Sequence, residues 1–108
     1  MVQEIKENKD FLKSLAKATW FKRKSLLAKA TPDQLKALQQ IAYNIQQEVV
    51  PLTQTEVSKL IKGSYRKYLV AVGDQRKSIE NRRKVLLQHG GFLQFIIPAA
   101  LLYLKEYL

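Results

Sequence analysis

One histidine, His89, no cysteine, and nine carboxylates dispersed among nineteen lysines and arginines leave little from which to build a catalytic centre. Catalysis needs titratable groups that converge. No two metal ligands stand at a recognisable spacing, and no glycine-rich phosphate loop follows a strand pattern. The sequence therefore points away from an enzyme and implies neither cofactor nor metal. His89 beside Gly90 reads as a helix C-terminal residue, favoured there by the dipole. The chemistry these residue types do support is polyanion binding. Lys59, Lys62, Arg66, Lys67, Arg76, Lys77, Arg82, Arg83 and Lys84 fall within residues 59–84 against only Asp74 and Glu80. Such a block can neutralise several phosphates and release their counterions, whereas an ordinary solvated face intersperses both signs. Tyr65 and Tyr68 can stack on bases from among these cations or, at helical spacing, fill a core. Lys22-Arg23-Lys24 repeats the signal more weakly. Trp20-Phe21 beside it reads as a pair of core anchors, with a membrane-interface pair as the alternative.

Those residues need elements to position them, and the composition allows one modest core. The chain has 108 residues, 46% of them hydrophobic, which suits a single folded module. The net charge of +10 exceeds ordinary surface solubilisation and favours anionic partners. It is unevenly spread: +5 over residues 1–31, −2 over 32–58, +7 over 59–84 and zero over 85–108. Without cysteine, disulfides and thiolate metal sites are excluded. The opening MVQEIKENKDF lacks the apolar run of a secretory signal, so secretion through a signal peptide is not expected.

The apolar periodicity predicts an all-α protein, a small bundle of about five helices followed by a C-terminal apolar helix. Ile5, Phe11, Leu12 and Leu15 suggest a helix over 3–18, and Trp20, Leu26, Leu27 and Ala30 a second over 19–30. Thr31-Pro32-Asp33-Gln34 combines a cap, a first-turn proline and a capping-box glutamine. The helix it starts carries the stripe Leu35, Leu38, Ile41, Ala42, Ile45 and Val49, the pattern of a core helix. Val50-Pro51-Leu52 should stop it, and Thr53-Gln54-Thr55-Glu56 should start the next, running to Val72 with Gly63 marking a close helix crossing. Gly73-Asp74 then gives way to a helix over 75–89, and Gly90-Gly91 should end that one through φ > 0 conformations.

Residues 92–104, FLQFIIPAALLYL, are apolar apart from Gln94. In a helix they span about 20 Å, short of the roughly 30 Å hydrocarbon core of a bilayer, and Pro98 interrupts them. The division expected is a basic helical domain over 1–89 and an apolar tail over 90–108, hinged at Gly90-Gly91. Phe92, Leu93, Ile96, Ile97, Leu101 and Leu102 are its docking residues, for a capsid protein, an anionic membrane or a second copy; alternatively the tail completes its own core.

The run KRKSLLAKATPDQLKAL, the VPLT break and RRKVLLQHGGFLQFIIP together resemble small basic proteins of polinton (Maverick) and adintovirus-type DNA elements. Their QRGGFLPALL-like end is similar to that of the adenovirus core protein mu precursor. The resemblance implies a virion-associated DNA-binding protein, found in the virion or in the host nucleus or cytoplasm. It also implies protease cleavage at Gly90-Gly91, with Gln88 standing where the relatives have an aliphatic residue and His89 where they have Arg. A membrane-active or minor capsid protein acting through the tail, and a helical interaction module, are the competing expectations.

Overall fold

Four hydroxyl side chains set where helices begin. The computed structural model describes the backbone of residues 2–47 and 52–107 and the side chains of 3–47 and 52–102. Thr31 Oγ1 accepts from the Gln34 amide at 3.2 Å while Gln34 Oε1 accepts from the Thr31 amide at 2.9 Å. Thr53 and Glu56 repeat this reciprocal box at 3.2 and 2.8 Å. Thr19 and Ser78 cap singly, accepting from the amides of Lys22 and Asn81. Each cap satisfies an amide left unpaired in a first turn.

The described residues form eight α-helices: α1 (Val2–Glu7), α2 (Lys9–Lys17), α3 (Trp20–Ala28), α4 (Pro32–Gln46), α5 (Gln54–Leu60), α6 (Arg66–Gly73), α7 (Ile79–His89) and α8 (Leu93–Tyr107). A 3-10 turn, Gly90–Phe92, joins the last two. The fold is an all-α bundle around α4, which packs against α1, α6, α7 and α8. The predicted stripe Leu35, Leu38, Ile41, Ala42 and Ile45 is buried throughout. Val49, and the Val50 and Pro51 of the expected break, lie outside the described residues.

Three boundaries differ from the sequence reading. The helix expected over 3–18 is two, α1 and α2, separated at Asn8, whose side-chain amide donates to the Glu4 carbonyl at 2.7 Å. The helix expected from Thr53 to Val72 breaks over residues 61–65. Gly63 lies in that break, and a Cβ there would stand 2.5 and 2.8 Å from the carbonyl oxygens of Ser58 and Lys59. The close helix crossing is instead at Gly73, where a Cβ would meet the Gln46 side chain and stand 3.1 Å from the Tyr43 amide nitrogen. Finally, α7 begins at Ile79 behind its Ser78 cap, not at Gln75.

Gly90-Gly91 is not a hinge. Neither glycine adopts φ > 0, Gly90 is buried, and the 3-10 turn carries the chain from α7 into α8 with no change of element type other than a local tightening. Phe92, Leu93, Ile96 and Ile97 are 0% exposed and belong to the same core cluster as Leu12, Leu38 and Leu69. The reason is their spacing: positions 92, 93, 96, 97 and 100 make one stripe, and α2 and α4 cover it together. Residues 90–101 of the expected tail are thus part of the bundle, and four of its six docking residues are core residues. Leu101 is half-buried, and Leu102 is exposed. Pro98 sits on the exposed side, as does Gln94, whose carbonyl loses its helical donor to the proline; water can satisfy it there. A Cα radius of gyration of 12.4 Å agrees with the ~13 Å expected of one packed domain of this length.

Candidate anion-binding surface

The cations divide by type. Every lysine with a described side chain is exposed, whereas Arg23 and Arg82 are buried and Arg83 is half-buried. Four of the five arginines are occupied at helix C-termini, where the last carbonyls lack helical donors. Arg23 Nε donates to the Leu15 carbonyl near the end of α2 at 3.3 Å. Arg82 Nε donates to Val72 at 3.2 Å, and its Nη2 reaches Asp74 and Lys77 carbonyls, closing the end of α6. Arg83 Nη1 gathers the Leu27, Ala28 and Ala30 carbonyls at 2.9, 3.1 and 2.9 Å, closing α3. Arg66 does the same for Ile61 beyond α5 from an exposed position. Burial pushes the Arg23 and Arg82 guanidiniums below their ordinary pKa, an effect that Asp74 partly offsets at Arg82.

The end of α6 receives further donors, from glutamines whose spacing carries no sign of the role. Gln39 and Gln46, two turns apart on α4, donate to the Gly73 and Leu69 carbonyls at 2.7 and 3.2 Å. Buried Gln40 in turn donates to Gln39 Oε1 at 2.9 Å. These bonds tie α6 to the central helix at the place where Gly73 allows the closest approach.

Of the nine cations expected to contact nucleic acid, Arg82 and Arg83 are therefore scaffold: their donors face carbonyls of the chain itself. Arg76 is exposed but paired, its Nε and Nη2 each 3.1 Å from an Asp74 carboxylate oxygen. This bond and a second one from the Arg76 backbone amide hold the Asp74 carboxyl down at about 2. Lys77 lines a groove of about 560 Å³ with Lys36, Glu4 and Asp33, a mixture of signs. What remains together is Lys59, Lys62, Arg66 and Lys67 along α5, its following turn and α6, all exposed. Residues 57–73 contain no carboxylate, and Glu56 is engaged in its capping box. Arg66 and Lys67 border a shallow groove of about 510 Å³ lined also by Gly63, Ser64 and Val70. Lys84 is exposed on α7.

The aromatic residues beneath these cations serve the core. Tyr65 packs against Phe92 and Phe95 with ring centroids 6.4 and 5.8 Å apart. Tyr68 stacks on His89 at 4.2 Å, so His89 makes an aromatic contact besides ending α7. Lys59 lies 4.5 Å above the Phe95 ring and Lys67 5.1 Å above Tyr68, which steadies both ammonium groups over the bundle surface. Neither tyrosine is free to stack on a base. On the opposite reading of Trp20-Phe21, the structure overturns the core assignment: Phe21 is 85% exposed and Trp20 39%.

Gly90-Gly91, the expected cleavage site, lies in the 3-10 turn with Gly90 under the Trp20 ring and Leu27. A protease cleft threads extended chain, and the folded bundle presents a helical turn here instead. The helical run Ile79–Leu102 that passes through this turn has 24 residues, about 36 Å. Its length and composition suffice to cross a membrane, contrary to the expectation from 92–104 alone, and 44% of its most apolar window is buried inside the fold. Among the described residues no three His, Asp or Glu side chains come together to hold a metal ion. The chain matches no protein-family model, no curated protein and no solved structure.

Proposed function

We propose that the protein is a non-specific binder of duplex DNA, acting through Lys59, Lys62, Arg66 and Lys67, in the virion-associated role that its QHGGFL-containing segment suggests by resemblance. The observation that carries the reading is the carboxylate-free surface over residues 57–73, in which every cation is exposed. Lysine suits this role because its ammonium is a strongly hydrated point charge on a flexible stem, able to meet phosphates without fixed geometry. Contacts of that kind position a protein on DNA without reading its sequence.

Four phosphate contacts imply a slope of about −3.6 in log affinity against log salt, or roughly a hundredfold loss between 50 and 200 mM. Fluorescence anisotropy with a short labelled duplex measures this. The expected result is that steep fall, with Lys62→Glu and Lys67→Glu weakening all duplex sequences alike. A flat salt response, or wild-type affinity in the double variant, contradicts the reading.

A further inference from the structure

A second carboxylate-free stretch, residues 11–32, lies on α2 and α3 and is longer than the first. Lys13, Lys17, Lys22, Lys24 and Lys29 are all exposed along it, while Arg23 is turned inward onto α2. At the start of α3, next in sequence to Lys22, stands Phe21, the most exposed large apolar side chain among the described residues at 85%. Trp20 beside it is anchored: its Cζ3 would stand 3.7 Å from a Cβ on Gly90, and Lys24 Nζ sits 5.1 Å above the ring. Next to the aromatic pair, Ser14, Lys17, Lys22 and Ser25 line a groove of about 500 Å³ between the two helices. Two ammonium groups and two hydroxyls are the donors a phosphodiester takes.

We propose that the α2–α3 corner docks on an anionic lipid bilayer, with Phe21 entering the headgroup layer, Trp20 at its border, and Lys17, Lys22 and Lys24 on the lipid phosphates. The pairing of an exposed aromatic with a basic collar is what such an interface requires, since aromatic rings settle at the headgroup level and each nearby lysine adds attraction. Other occupants fit less well. A second copy of the chain would bring the same cations face to face. Duplex DNA would satisfy the lysines but leave Phe21 in water, and one face of the Trp20 ring is already covered by Lys24. This face lies on elements other than the DNA-binding surface proposed above, and the inference stands apart from it.

Trp20 is the sole tryptophan, so its emission reports on this corner alone. The 108-residue chain is titrated with vesicles of phosphatidylcholine containing phosphatidylglycerol, with pure phosphatidylcholine vesicles, and with duplex DNA. The expected result is a blue shift and quenching by brominated acyl chains with the anionic vesicles only. Phe21→Ser should weaken vesicle binding about tenfold, and Lys17→Gln and Lys22→Gln about fivefold each. Phe21→Leu should bind nearly as the wild type, and the melting temperature of Phe21→Ser should be unchanged because the side chain is exposed. Absence of a shift with anionic vesicles, or wild-type affinity in Phe21→Ser, overturns the proposal. So does a Trp20 shift on DNA accompanied by loss of DNA affinity in Phe21→Ser, which assigns the corner to nucleic acid.

Discussion

A charge count treats Arg82, Arg83 and Lys84 as three equal cations, yet the first two complete helix ends and only the third faces solvent. Arg82→Met should cost about 2–4 kcal/mol, because one buried carbonyl and two partly buried ones lose a donor. Arg82→Lys should recover little of it, since a single ammonium cannot reproduce the planar fork; chemical denaturation compares the three proteins. Asp74 gives a second test. Its folded pKa is lowered, first by the Arg76 side-chain bond, from 3.8 to about 2. Its contribution to stability is therefore present above about pH 4 and is lost as pH falls toward 2. In an NMR titration the carboxyl should show its midpoint near 2, and Arg76→Gln should move it back toward 3.8. Neither role was legible in the sequence. What distinguishes these arginines is the position of another helix's last turn, and spacing along one helix carries no record of it.

Helix starts were the most legible elements, because a cap is a local event within four residues. The boxes at Thr31 and Thr53 form as their sequences predict, while Ser78 caps without a Glu or Gln three residues on and so lacks the pattern that marks a start. The packing role of a glycine is less legible, because it depends on what lies opposite. Gly63, expected at a crossing, lies in a helix break; Gly73 ends α6 as expected and is also where α6 crosses α4. Gly73→Ala should therefore push α6 from α4 and destabilise the fold by about 1–3 kcal/mol, typical of overpacking. Ile41→Ala, on the central helix and 0% exposed, should cost about 2–5 kcal/mol. Thermal unfolding measures both, and an unchanged melting temperature in either variant contradicts the packing described. The lysine surface was half legible: its charge excess stands in the sequence, but not which cations the fold withdraws.

At the scale of the whole molecule, the decisive feature is that α8 closes the core instead of leaving it. Paired glycines normally uncouple what they join, which is why a hinge is the expectation from the sequence. Here both glycines sit in a 3-10 turn, Gly90 under Trp20 and Gly91 beside the Tyr65 hydroxyl, and the apolar stripe beyond them meets α2 and α4. Removal of residues 92–108 should therefore abolish cooperative unfolding of the remainder, visible as a lost near-ultraviolet signal and a broad thermal transition. A sharp transition in the truncated protein would place the core elsewhere. The same arrangement sets an order of events during synthesis. Leu12 and Leu15 on α2 emerge from the ribosome early, but the wall that covers them is translated some eighty residues later. Until α8 has left the exit tunnel, that part of the bundle stays an open apolar cleft, so the core closes only when its last helix arrives.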